Sequence, residues 1–407
     1  MKLILLSLNY SPELTGIGKY NGEMAPWLAE QGAGVSVICA PPYYPEWRVH
    51  DGYSGSWYSV SELQGVKITR CPLYVPAQPT TVKRLVHLAS FAASSAVALF
   101  RHLLRKPDVV FVVEPTLFTV PAALLFCKLT GAKAVLHIQD YEVDAMFGLG
   151  MGGSGRIARF AYAAERWLMR RFDKVSTISY SMMERAKAKG VDASRLIFFP
   201  NWSDTDFVTP DVDGTALRQS WGFTAQDKVV LYAGNMGAKQ GLELVLDAAE
   251  RYRDQAGVHF VMVGAGAYVD ELKQQAQTKC LTNVHFKPLQ EWADVPAMLS
   301  MADVHLVVQR KGAADAVLPS KLTNILSAGG HALVTAEADT ELGRLVQEYD
   351  GIYECVEPEN LDAFCNGLDR ALTHSDYNVV ARDYAEKNLN KDAILQRFYN
   401  DINALIG

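Results

Sequence analysis

Short apolar runs recur along the chain, separated by longer amphipathic stretches. In the first half they are Lys2–Leu8, Gly34–Ala40, Val109–Val113, Lys133–Ile138 and Lys174–Ile178. In the second half they are Lys228–Tyr232, His259–Val263, Val284–Lys287, Val304–Val308 and Ala332–Thr335. The runs are rich in Val, Ile and Leu and do not alternate apolar with polar positions. Strands of that kind are buried on both faces, as in a parallel sheet covered by helices. Between them, Lys19–Gln31, Arg156–Phe172, Tyr180–Gly190 and Leu242–Gln255 read as helices. Such βα units, repeated twice over, predict an α/β protein of two doubly wound domains.

A turn cluster, Phe199-Pro200-Asn201-Trp202-Ser203-Asp204, follows the strand-like Leu196–Phe199 run and sets the domain boundary near residue 200. The expected division is 1–200, 201–385 and a closing helix over 386–407 that can pack back on the first domain. A length of 407 residues suits two cores better than one. Six scattered cysteines with no CxxC pair are read as reduced core thiols, which points to a cytoplasmic protein. The apolar run after Lys2 is broken at once by Asn9, Pro12 and Glu13, so it reads as a first buried strand rather than an export signal.

Charge adds an asymmetry. Residues 1–200 carry 22 Lys and Arg against 15 Asp and Glu, and the remainder carries 17 against 30. The first half is therefore expected to face an anionic surface. From Leu63 to Pro107 there is no acidic residue, and Lys67, Arg70, Lys83, Arg84, Arg101, Arg105 and Lys106 surround the apolar run Leu85–Phe100. That run is shorter than the roughly 20 residues a spanning helix needs. Two readings stay open: an internal helix of the first domain, or a helix lying on an anionic membrane at its inner face. Arg156–Arg171, with Phe160 and Trp167, adds a second basic helix.

Four segments carry candidate chemistry. Pro12–Tyr20 follows the first strand and opens a helix, so Gly16 and Gly18 can bring backbone amides close to an anion. Tyr232–Gly241 sits at the first strand-to-helix turn of the second domain. Gly234, Gly237 and Gly241 with Lys239 make a candidate diphosphate cradle. Arg310 and Lys311 close a later strand, and Lys321 and Asn324 share one face of the next helix at i and i+3. His137 and Asp140 stand at the tip of the Lys133–Ile138 strand, where a histidine is either a catalytic group or a satisfied core residue. No metal-ligand spacing appears, and Asp204-Thr205-Asp206 and Asp211-Val212-Asp213 read as solvated loop charge.

These segments resemble a known family. Asn9–Tyr20 paired with Ala40-Pro41-Pro42-Tyr43-Tyr44-Pro45 is similar to the retaining GT-B glycosyltransferases of family 4, in particular the colanic acid fucosyltransferase branch. His137–Met146, Phe198–Ser203, Gly234–Gly241 and Pro319-Ser320-Lys321-Leu322 fit the same branch. The resemblance implies two facing Rossmann-like domains with a cleft between them. The first would hold a lipid-linked glycan acceptor and the second a GDP- or UDP-linked sugar, with no metal, no other cofactor and no nucleic acid. It places His137, Asp140, Gly16 and Gly18 at the reacting sugar. Gly234, Asn235, Gly237, Lys239, Gly264, Lys287, Arg310, Lys321, Leu322 and Asn324 fall on the donor side. Asn235 stands at the family's arginine position and Gln240 at its lysine position, with Lys239 one residue early. The family's paired glutamates are replaced by Ala316, beside Asp315, and by Asn324, whose amide can bond a ribose hydroxyl.

The expected activity is transfer of a sugar, fucose from GDP-fucose, with retained configuration in exopolysaccharide biosynthesis. A GT-B epimerase and a non-catalytic scaffold of a polysaccharide complex are the alternatives.

Overall fold

The alternating pattern folds as two sheets in the computed structural model, which describes residues 1–13, 16–78, 80–115, 117–144, 155–311 and 319–407, with Lys239 by its backbone only. Contacts divide the chain into one unit of residues 1–200 with 395–407 and another of residues 201–394.

The first unit is built on β1 (Lys2–Leu6), β2 (Gly34–Cys39), β3 (Ser59–Leu63), β4 (Val66–Arg70), β5 (Val109–Glu114), β6 (Lys133–Ile138), β7 (Lys174–Thr177) and β8 (Leu196–Phe198). Their order is β3-β4-β2-β1-β5-β6-β7-β8. Every pairing is parallel except β3 with β4. All six positions of β5 are buried, as the unbroken apolar run demands. The β3–β4 hairpin was not evident in the apolar pattern because β3 is exposed along its whole length. It turns through Gln64 and Gly65, both at positive φ (50° and 74°), the geometry that matches the twist of a two-residue hairpin.

Three helices of this unit matter below. Helix α1 (Gly16–Glu30) follows β1, and α3 (Val120–Thr130) joins β5 to β6. Helix α2 starts earlier than the apolar run suggested, at Thr81, because the Thr80 hydroxyl caps the Lys83 amide. It reaches 20 residues (Thr81–Phe100) instead of the sixteen expected. It packs Phe91 and Leu99 into the core, both 0% exposed, so its inner face belongs to the unit. The closing stretch, read from about Asp376 as one or two helices, forms two, Val379–Asn388 and Lys391–Ile406. The latter sets Phe398 against Phe199 at 4.0 Å, rings stacked, and against Phe111 at 5.1 Å.

The second unit holds β9 (Lys228–Ala233), β10 (Val258–Val263), β11 (Val284–Lys287), β12 (Val304–Val307), β13 (Ala332–Thr335) and β14 (Glu354–Val356), in the order β11-β10-β9-β12-β13-β14. All its pairings are parallel. In each unit the strand order reverses at the first strand. β1 lies between β2 and β5, and β9 lies between β10 and β12. Crevices at the carboxyl ends of such strands are where open α/β sheets bind ligands. The two glycine segments singled out from the sequence leave these two strands.

Candidate functional site

In the first unit the loop after β1 is held by two buried charged side chains. Glu13, 4% exposed, accepts the Tyr43 and Tyr44 amides on one carboxylate oxygen, each at 3.0 Å, and the Asn9 amide on the other at 2.8 Å. Desolvation pushes its pKa up, opposed by those three bonds. Arg70, 6% exposed, donates to the Ser11 carbonyl at 2.6 Å and the Ala40 carbonyl at 3.2 Å. These two residues physically join Asn9–Glu13 to Ala40–Tyr44. Neither role was evident in the sequence, where Glu13 was one letter of a motif and Arg70 one of a run of basic residues.

The glycines of this loop serve different purposes. Gly16 opens α1 at φ +56°, and a Cβ there would meet none of the described residues within 4 Å. Its backbone conformation by itself requires glycine. At Gly18 a Cβ would fall 2.6 Å from the Glu13 Cβ, so the close approach is to the protein's own carboxylate, not to a ligand. Thr15 and Leu14 lie outside the described residues.

His137 is the satisfied core histidine. It is 2% exposed, and its ring bonds the Ser176 hydroxyl at Nδ1 and the Gln139 amide at Nε2, both at 2.9 Å. It stacks on Phe111 at 5.5 Å. Burial holds its pKa down at about 3, so the ring stays neutral. Direct contact of this ring with a sugar does not fit that enclosure. Asp140, two residues beyond the strand, is exposed.

In the second unit the turns after β9 and β10 pack backbone on backbone. Gly264 has φ +142°, and a Cβ there would lie 2.0 Å from the Gly234 carbonyl oxygen. Gly266 stands likewise against the Met236 carbonyl, at 2.2 Å. Gly234 itself, at φ +144°, faces the Lys321 ammonium, which would be 3.0 Å from its Cβ. Lys321 projects from the helix Ser320–Ser327, and its Nζ lies 3.9 Å from the centroid of the Tyr232 ring. Tyr232 in turn donates its hydroxyl to the Asn235 carbonyl at 2.6 Å. Among the described residues no carboxylate pairs with Lys321. Desolvation lowers its pKa to about 7. A cation enclosed with no counter-charge among the described residues, at the carboxyl end of a switch-point strand, fits an anionic ligand.

Two family models match the chain: "Glycosyl transferase 4-like domain" over residues 15–202 and "Glycosyl transferases group 1" over residues 213–388. The chain is 52% identical over 407 residues to WcaI of Escherichia coli (strain K12), named as a colanic acid biosynthesis glycosyl transferase, covering 99% of this chain and 100% of that one. The chain belongs to the GT-B glycosyltransferases. The fold of this glycosyltransferase is shared with sucrose-phosphate synthase from Thermosynechococcus elongatus (TM-score 0.78, 15% identity, 99% and 98% of the two chains). It is also shared with HepE of Anabaena in complex with UDP (TM-score 0.72, 15% identity, 99% and 100%).

Several donor-side residues expected in the glycosyltransferase are already committed elsewhere. Arg310 donates to the Ala238 carbonyl at 2.7 Å and pairs with Glu243 at 2.9 Å and Glu359 at 3.3 Å, so it clamps the 238–241 turn rather than offering a free charge. Its stem fills the space over Gly241 that a Cβ would take, 2.9 Å from its Cγ. Gln240 caps the same turn, its side-chain oxygen accepting the Gly237 amide at 3.0 Å. The spaces left by Gly234, Gly237 and Gly241 are thus filled by Lys321, Gln240 and Arg310. Leu322 is 0% exposed and packs in the core, and its amide bonds the Pro319 carbonyl at 2.8 Å, so it makes no side-chain contact with a donor. Lys287 rests over the Trp221 ring at 5.3 Å. Asn324 accepts the Ser203 hydroxyl at 2.9 Å, and Asn235 is exposed. Gly312, Asp315, Ala316 and the Lys239 side chain lie outside the described residues, as does Met146.

Proposed function

We propose that this glycosyltransferase moves a sugar from a nucleoside diphosphate to a lipid-linked glycan during biosynthesis of an exopolysaccharide of the colanic acid type. The observation that carries the donor half is Lys321, enclosed between Gly234 and the Tyr232 ring with no described counter-charge. A diphosphate supplies that charge. The naming of the E. coli relative for colanic acid and the UDP in the Anabaena neighbour support the reading. The donor we favour is GDP-fucose.

The reaction retains configuration by a front-face route. The bond from the anomeric carbon to the diphosphate breaks and the acceptor oxygen bonds the same face. The acceptor's hydroxyl proton passes to the departing diphosphate. Lys321 stabilises the charge that develops there, so no divalent metal is needed. Lys239, in the turn after β9, is a second cation for the diphosphate, and Asn324 a ribose contact. Asp140 and Gly16 belong to the acceptor and sugar side, and His137 acts from behind by holding Gln139.

The test is transfer and donor hydrolysis by Lys321→Ala and Lys239→Ala proteins across GDP-fucose and UDP-sugars. Near-normal rates with both variants remove the phosphate assignment. The anomeric configuration of the product, read by NMR, decides retention, and activity surviving EDTA decides the metal.

A further inference from the structure

Strand β4 does not follow the all-apolar pattern of its neighbours. Val66, Ile68 and Arg70 are buried, whereas Lys67 is exposed and Thr69 half-buried on the other face. Ser36 of β2 stands beside Lys67 in register and shares that face. The carboxyl-terminal end of α2 and the turn Leu103–Arg105 lie over it without filling the space. They leave a cavity of about 460 Å³ between Ser36, Lys67 and Thr69 on the sheet and Arg101, His102 and Arg105 on the helix end. That is the size of a small-molecule site. Strands of a parallel sheet are normally apolar where helices cover them, so hydroxyls and a cation under a helix end suit a polar ligand.

Charge sets the class of that ligand. Among the described residues none of Lys67, Arg101 and Arg105 is in an ion pair with a carboxylate. Glu62 faces Lys67 across the β3–β4 hairpin and lines the same cavity, so three cations stand against one carboxylate. The two positive charges left over match one phosphate dianion. Arg101 holds its guanidinium carbon 5.0 Å from the centroid of the Tyr58 ring, and Tyr58 is fixed by donating its hydroxyl to the Ser94 carbonyl at 2.9 Å. A guanidinium stacked on a ring keeps its planar fork of donors for a bidentate acceptor. His102 is 9% exposed; burial, with the charge of Arg105, lowers its pKa, and it adds a neutral imidazole. The cavity stands apart from the candidate donor site. It opens on the face of β4 opposite Arg70, which holds the loop after β1, and Lys321 belongs to the other unit.

We propose that this cavity binds a soluble phosphate ester or diphosphate of about sugar-phosphate size, as a second anion site separate from that of the nucleotide sugar. The experiment is isothermal titration of the full chain carrying Lys321→Ala with pyrophosphate, glucose 1-phosphate and malonate. Saturable binding of one phosphate ligand per chain is expected, with malonate weaker. Lys67→Ala, Arg101→Ala and Arg105→Ala each weaken it about tenfold, the effect of one lost charged hydrogen bond. Glu62→Gln, which removes a repelling charge and no donor, tightens it several-fold. Lys83→Ala, a cation at the opposite end of α2, leaves it unchanged. No saturable binding, malonate bound as tightly, a Glu62→Gln protein that binds no better, or an equal loss from Lys83→Ala overturns the proposal. GDP titration of the protein with Lys321 intact is read separately, so failure of the donor assignment and failure of this site are distinguishable.

Discussion

The Lys321 ammonium lies 3.9 Å above the Tyr232 ring, and burial leaves its pKa near 7. A bound diphosphate returns that pKa upward. As pH rises above about 7 the free site loses its proton and the bound site keeps it, so affinity for a nucleoside diphosphate falls by up to tenfold per pH unit. Isothermal titration with GDP and UDP from pH 6 to 9 checks this, and a flat profile counts against it.

The same group costs stability. Its folded pKa lies below its unfolded value of 10.5, so between about 7 and 10.5 the unfolded chain holds more protons and stability rises with pH. Lys321→Met removes a desolvated cation and is expected to stabilise the protein by about 1–2 kcal/mol while weakening donor binding at least tenfold. Urea unfolding beside nucleotide titration reads both. A variant that is less stable and binds normally contradicts the assignment.

Glu13→Ala leaves the Tyr43 and Tyr44 amides without their acceptor, at a cost of about 2–4 kcal/mol. Glu13→Gln keeps an acceptor and costs less. Gly18→Ala forces its new methyl against Glu13 and resembles Glu13→Ala rather than a ligand-site change. Thermal unfolding of all three, with kcat and KM, ranks them. Equal effects of Ala and Gln at position 13 refute the bridging role.

His137 sits with a folded pKa of about 3 against 6.5 when unfolded, so its neutral form is what the fold accepts. Stability is therefore lost as pH falls from about 6.5 toward 3. Activity carries no limb from this residue between pH 5 and 8. His137→Gln removes part of the acid sensitivity. An activity limb near pH 6.5 that vanishes in this variant speaks for a chemical role instead.

Arg310→Ala frees the Ala238 carbonyl and two half-exposed glutamates. A clamp of this kind contributes less than about 1 kcal/mol to stability. The expected change is a several-fold rise in donor KM with kcat nearly unchanged, in contrast to Lys321→Ala, which lowers kcat. Kinetics of the two variants side by side distinguishes a turn brace from a charge at the leaving group.

The buried parallel strands were legible because their faces are uniformly apolar, and both switch-point loops were found through their glycines. The exposed β3 gave no such signal. Which glycine faces a ligand was not legible either. Gly18 is required by Glu13, and the space at Gly241 is taken by Arg310, contacts that arise only when residues distant in sequence fold together. Likewise the charge of Arg310 looked available until Glu243 and Glu359 came beside it. Lys321 was singled out by its motif and helix face, but its enclosure by Tyr232 and Gly234 was legible only in the fold.

Phe398, 1% exposed, completes an aromatic cluster with Phe111 and Phe199, although residues 201–394 intervene in the chain. On the ribosome the first unit therefore cannot finish its core when its own two hundred residues have emerged. It must wait, partly open, until the whole second unit has been synthesised. The order of translation and the order of assembly differ, and the portion made first is the last to be sealed.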